Sequence, residues 1–225
     1  MGAVGVLSGG GGLHTRAGNA MGRTRDGLLD GAVASIQRDG LRHLTMSGIC
    51  TRSGVAKATL YNHFRTKADV LSAVVGREVD RVADVAQSAT AAGSLADGLN
   101  AAADYVATFA PGRAVAAGEP QALVPLLTAG TGRGWEHARG RASAVLDVDP
   151  GDPLVDLVLA WLGSVLMAAP TPTSRRANAE LLAAAAAART RADLAGPCDA
   201  DAGGDSGGPV AEPAAVTAGT TGTST

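Results

Sequence analysis

Aromatic side chains are scarce in this chain of 225 residues, with two Trp, two Tyr and two Phe making up 3%. Strands draw heavily on aromatic and β-branched residues, so a β-sandwich or barrel is disfavoured. Cysteine is scarcer still. Cys50 and Cys198 lie far apart and offer neither a disulfide framework nor a zinc-ligand spacing, and a reduced compartment is expected. The four histidines, His14, His43, His63 and His137, form no His-Glu-x-x-His helix, and no Gly-x-Ser-x-Gly elbow is present. Glu136 and His137 are adjacent, so on a helix they point in different directions and make a poor acid–base pair. The chain is therefore not expected to be an enzyme, and no catalytic residue, metal site or cofactor is assigned. Long apolar runs are missing too. Leu154 to Ala169, about sixteen residues interrupted by Asp156, Gly163 and Ser164, falls short of the roughly 20 that span a bilayer. No stretch joins a basic face to a strongly apolar one, and the N-terminus lacks a basic n-region and a sustained apolar h-region. A cytoplasmic protein with no membrane contact is expected.

What is present is apolar and helix-forming. Hydrophobic residues are 46% of the chain, and the alanine-rich second half favours helices packed through small side chains, an all-α fold. The formal net charge of −2 hides an asymmetry. Gly22 to Arg81 carries ten Lys or Arg against six Asp or Glu, a balance of +4, and the remainder nine against fifteen, or −6. A basic segment joined to an acidic one is the footprint of a nucleic-acid-binding unit on a separate regulatory body.

Within the basic segment, Leu44 to Leu71 has the form of a helix-turn-helix followed by a capped helix. Met46, Ile49 and Cys50 recur at helical spacing, Gly54 and Val55 interrupt, and Leu60 and Phe64 place an apolar stripe on a second short helix. Lys57, Ala58, Thr59, Tyr61, Asn62 and His63 are left off that stripe. A cation, hydrogen-bonding groups and a small residue on a short helix suit the major groove of a DNA duplex. A preceding helix is expected to start near Thr24, with Leu28, Leu29, Ala32, Val33 and Ile36 inward and Gly40 as its stop. Thr66 followed by Asp69 reads as a capping box for a long fourth helix. Its apolar positions Leu71, Val74, Val75, Val79, Val82, Val85 and Ala89 keep helical spacing.

The run TMSGICTRSGVAKATLYNHFRTKADVL resembles the DNA-binding segment of the tetracycline-repressor (TetR) family of bacterial regulators. Its I-x-x-x-x-G-V helix and turn and its K-x-T-L-Y-x-H-F helix are the matching elements, and the match covers roughly Arg23 to Val82. The resemblance implies an N-terminal helix-turn-helix domain and a C-terminal helical domain that binds an effector and dimerises. It also implies phosphate contacts from Lys57, Tyr61 and His63, with Thr45 of the T-M pair added to the set. Lys67, near the start of the fourth helix, is expected to add another, helped by free backbone N–H groups there. Ala58, Thr59 and Asn62 are then placed to meet base edges. Three departures stand out: Ala56 where the family usually has serine, Cys50 where it usually has alanine, and Gly48 inside a helix. A lost N-cap costs about 1 kcal/mol and an interior glycine about 1 kcal/mol.

The expected organisation is a disordered arm over 1–21, a DNA-binding domain over 22–68, an effector and dimerisation domain over 69–195, and a disordered tail over 196–225. Gly9 to Gly12 have no preceding strand and no following lysine motif, so a phosphate-cradling loop is not assigned there. The biological start is either Met1 or Met21. From Leu95 the pattern is helical, with breaks at Pro and Gly clusters. Two helices, near 152–169 and 174–194, are expected to pair with their copies in a homodimer, because the first is apolar on nearly all sides and needs enclosing. Tyr105, Phe109, Trp135 and Trp161 are candidate lining for an unidentified small-molecule effector. The function read from these features is a ligand-responsive repressor binding a near-palindromic double-stranded operator as a dimer. The alternatives are an activator or ligand-independent DNA-binding factor and, from a different class, an enzyme or carrier whose basic segment is incidental.

Overall fold

The computed structural model describes residues 16–128 and 132–195, and all regular structure in them is helical. The expected arm up to residue 15, with its glycine run, and the expected tail from 196, with Cys198, lie outside the described residues.

Three helices form the head: α1 (Arg16–Asp39), α2 (Met46–Ser53) and α3 (Lys57–His63). Helix α1 begins earlier than the expected start near Thr24, because Arg16–Met21 continue the same helix. It stops at Gly40, whose φ of 82° lies in the left-handed region that glycine adopts without steric cost. Leu28, Leu29, Ala32 and Ile36 are buried as the periodicity requires, whereas Val33 is half-buried at the edge of that stripe. Thr45 caps α2 by accepting from Gly48 N at 3.0 Å, and Gly54 ends it at φ 67°. Helix α3 starts at Ala56 with no side-chain cap and ends at Phe64, whose extended backbone breaks the helix.

Helix α4 (Lys67–Ala92) starts on the expected capping box, with Thr66 Oγ1 accepting from Asp69 N and Asp69 accepting from Thr66 N. It leaves the head and runs into the body, which comprises α5 (Leu95–Thr108), α6 (Ala110–Gly118), α7 (Pro120–Thr128), α8 (Arg133–Leu146), α9 (Pro153–Ala168) and α10 (Pro172–Ala195). The face that α4 buries takes in only part of that apolar series. Val70, Val74, Glu78, Ala83 and Ala86 are buried, whereas Leu71, Val75, Val79, Val82, Val85 and Ala89 are only half-buried. The cause is close approach of small residues: a Cβ added at Gly98 of α5 would lie 2.7 Å from the Ala86 carbonyl oxygen. Glycine and alanine, not valine, therefore set the tightest line of contact. Glu78 is tolerated inside because Tyr105 Oη donates to it at 2.8 Å and Arg81 pairs with it at 2.8 Å.

Two apolar clusters hold the molecule. One joins the head to the lower body, running from Leu28, Ile49, Leu60 and Phe64 through Val70 to Val115 and Leu123. The other ties α5, α8, α9 and α10 through Leu99, Leu146, Val155, Val158 and Leu182. The first cluster crosses residue 68, so head and body share a core at that point.

Candidate nucleic-acid interface

Leu60 of α3 is fully buried and Phe64 is 5% exposed, which pins one side of the short helix to α1 and α2. The opposite side carries Lys57, Ala58, Tyr61 and Asn62, all exposed, with Thr59 and His63 half-buried at its edges. None of Lys57, Tyr61 and Asn62 hydrogen-bonds within the described residues, and Lys57 Nζ sits 6.0 Å from the centre of the Tyr61 ring. His63 leans on the Phe64 ring, centroids 6.3 Å apart. The six recognition-helix residues named from the sequence thus form one surface, although Thr59 and His63 are less accessible than the others.

The two flanking residues have structural duties as well. Thr45 Oγ1 is the α2 cap, and only its own O–H remains to donate outward. Lys67 Nζ donates to Leu41 O at 2.7 Å and Arg42 O at 3.4 Å, so two of its three N–H directions stitch α4 to the link between α1 and α2. Glu119, between α6 and α7, accepts from Arg42 N at 3.1 Å. One residue of the head, Arg42, is therefore held from both sides. The sequence reading missed Glu119, and a lone glutamate before a proline carries no local sign of that partner. Gly48 donates its N–H to the Thr45 cap, and a Cβ there would sit 3.2 Å from the capping oxygen. Its place in the helix follows from that closeness.

Tyr105 lies on α5, Phe109 at its end, Trp135 on α8 and Trp161 on α9. Tyr105 and Phe109 stack at 6.2 Å with an 11° tilt. Burial, together with the Glu78 hydrogen bond and charge, pushes the Tyr105 phenol above its ordinary pKa, so it remains a donor. Trp161 packs in the α5–α10 cluster and Trp135 lies on α8. Both indole Nε1 atoms are buried without a hydrogen-bond partner. Two open grooves flank α10, one lined by Asn100, Asp104, Arg176 and Glu180 and the other by Asp147, Asp149, Asp152 and Arg189; neither is lined by an aromatic. No group of His, Cys, Asp or Glu that could hold a metal occurs among the described residues. No helix among them is long and apolar enough to cross a membrane.

A helix-turn-helix head with an open polar face is carried on a helical body by one long shared helix. Residues 28–74 match the family model described as bacterial regulatory proteins, tetR family. The chain is 31% identical over 137 residues to the HTH-type transcriptional repressor KstR of Mycobacterium tuberculosis (strain ATCC 25618 / H37Rv), an alignment covering 60% of this chain and 56% of that protein. It thus spans little more than half the length of that curated relative. The crystal structure of AlkX, a TetR family repressor from Dietzia sp. strain DQ12-45-1b implicated in biodegradation of n-alkanes, superposes with TM-score 0.59 at 16% identity, covering 79% of this chain and 98% of that one. At that identity the likeness is one of fold. Residues 28–74 are thus similar to the DNA-binding segment of the TetR family of bacterial regulatory proteins.

Proposed function

We propose that this protein is a cytoplasmic, ligand-responsive repressor that binds a near-palindromic operator as a homodimer. The observation that carries the reading is the face of α3, where Lys57, Tyr61 and Asn62 are exposed and have no hydrogen-bond partner within the described residues. Polar groups held on a short helix by a buried leucine and phenylalanine, yet left unused by the fold, are placed for phosphates and base edges. Lys57, Tyr61 and His63 position the helix, with Thr45 and Lys67 adding one donor each. Ala58, Thr59 and Asn62 read sequence. The DNA-binding unit comprises 22–68 and the effector and dimerisation unit 69–195.

Dimerisation is supported by what α9 and α10 leave uncovered. Leu157 is 54% and Leu181 70% exposed, each on a helix that buries another stripe, Leu154, Val155 and Val158 on α9 and Ala179, Leu182 and Ala186 on α10. Alanines from Ala183 to Ala188 would let a second copy approach closely. Two heads so joined would meet half-sites about one DNA turn apart, or a multiple of that. The effector reading is supported by the unpartnered indole donors of Trp135 and Trp161, which suit an apolar molecule bearing an acceptor. Effector and operator would then oppose each other reciprocally.

The test is titration of duplexes selected by the wild-type protein from a random library. Tyr61→Ala is expected to weaken binding to all sequences alike, and Asn62→Ala to relax preference at one base position. Wild-type affinity and specificity in both variants would remove α3 from the interface. Deleting the gene separates repressor from activator, since target transcription rises in the first case and falls in the second.

A further inference from the structure

The ten Lys and Arg between Gly22 and Arg81 have different fates. Arg38 and Arg52 pair with Asp39, Arg42 with Glu119, Arg77 with Asp30 and Arg81 with Glu78. Lys67 is bound to main-chain carbonyls. The remaining four, Arg23, Arg25, Lys57 and Arg65, are exposed and have no acidic partner among the described residues. Lys57 and Arg65 bracket α3 in sequence. Arg25 reaches the same region from α1, where its guanidinium carbon lies 5.4 Å from the centre of the Phe64 ring. Phe64 is the residue at which α3 ends, and its ring is fixed in the head core.

This geometry resembles the other end of the helix, where Lys57 sits over Tyr61. Each end of α3 therefore has a cation seated near an aromatic face. The ring holds the guanidinium in place through its quadrupole, while the five N–H donors of Arg25 find no acceptor within the described residues. A planar, preorganised, unpaired guanidinium matches a phosphate in a bidentate manner. An isolated ion pair on a surface would have consumed that capacity, as it has at Arg52 and Arg77. The helix-turn-helix pattern of α2 and α3 does not by itself name a contact on α1.

We propose that Arg25 is a DNA-phosphate contact, extending the interface from the helix-turn-helix onto α1 at the C-terminal end of α3. The proposal rests on α3 being the DNA-reading helix. Arg25 fixes the position of the head along the backbone and carries no base preference. Its loss weakens specific and random DNA equally.

The experiment uses the full chain, a duplex selected by wild-type protein from a random library, and a random duplex of the same length. Binding is measured by fluorescence anisotropy across a salt series. For Arg25→Gln the slope of log K against log salt is expected to flatten by about 0.9 per lost phosphate contact. Affinity should fall by a similar factor for both duplexes, and the melting temperature should stay near wild type. Arg25→Lys should recover the slope, because charge is restored. Arg133→Gln, at an exposed cation of α8 with no acidic partner among the described residues, should leave the slope unchanged. Should Arg25→Gln keep the wild-type slope while Tyr61→Ala binds weakly, the α1 contact is refuted and the α3 reading survives. A lowered melting temperature with an unchanged slope also refutes it, since that is the mark of a ring-packing role alone. If wild-type protein selects no duplex at all, both readings fall together.

Discussion

Two glycines one helical turn apart on α1 should respond to alanine in opposite directions. A Cβ at Gly27 meets nothing within 4 Å, whereas one at Gly31 would lie 2.8 Å from Ser53 Cβ, 2.9 Å from Ser53 N and 3.0 Å from Ile49 O. Replacing a helix-interior glycine by alanine gains up to about 1 kcal/mol through backbone entropy, and at Gly27 that gain is unopposed. At Gly31 two of the three colliding atoms are main chain of α2, which cannot swing aside as a long side chain would. Overpacking of this kind costs about 1–3 kcal/mol, so the net change at Gly31 runs from near zero to about 2 kcal/mol of destabilisation. Helix α2 also carries the Gly54 turn and α3, so the displacement propagates to the exposed face of α3. Urea denaturation of the two single variants, with the slope unchanged, reads the sign directly. Anisotropy with a selected duplex should show Gly31→Ala binding more weakly and Gly27→Ala binding as wild type. A Gly31→Ala midpoint raised as far as that of Gly27→Ala would refute the argument that α1 and α2 meet backbone to backbone.

Ala56→Ser should stabilise the head by about 1 kcal/mol, because Ala56 already has the extended backbone of an N-cap and lacks only the side-chain acceptor; an unchanged denaturation midpoint would argue against it. Leu157→Glu combined with Leu181→Glu should convert a dimer to a monomer in light scattering and abolish cooperative operator binding. Each leucine buried contributes up to about 1.5–3 kcal/mol, and two-fold symmetry counts it twice; an intact double-variant dimer would place the interface elsewhere. The Asp97 carboxylate, hydrogen-bonded by Ser94 and then by Arg176, is lowered from 3.8 to about 2. Because the folded pKa is depressed, its support of α5 is complete above the unfolded value and is lost as pH falls to about 2. In circular dichroism the stability gap between wild type and Asp97→Asn should therefore close over that window, and a gap constant down to pH 2 would contradict it.

Local patterns made much of the head legible. The capping box at Thr66 and Asp69, the stop at Gly40, the Gly54 turn and the buried Leu60 and Phe64 all depend on residues within four positions of one another, and spacing along a helix is enough to read them. The open face of α3 was legible for the same reason. The start of α1 was not, because Arg16–Met21 carry no apolar stripe and no cap to announce a helix. Which apolar positions of α4 turn inward was not legible, and only the approach of Gly98 showed that alanines lie along the tightest line. Tyr105, Phe109, Trp135 and Trp161 were grouped by composition, and only the fold shows which helices carry them, α5 with its end, α8 and α9.

The sequence by itself determined the helical class, the head and the polar surface of its third helix, since each arises from interactions of short range along the chain. Tertiary structure alone decided which cations remain free. Whether an arginine is neutralised depends on a carboxylate brought from far away, as Glu119 is to Arg42 and Asp30 to Arg77, and no spacing rule encodes that. The same folding that consumed those charges left Arg25 over Phe64 with its donors unspent.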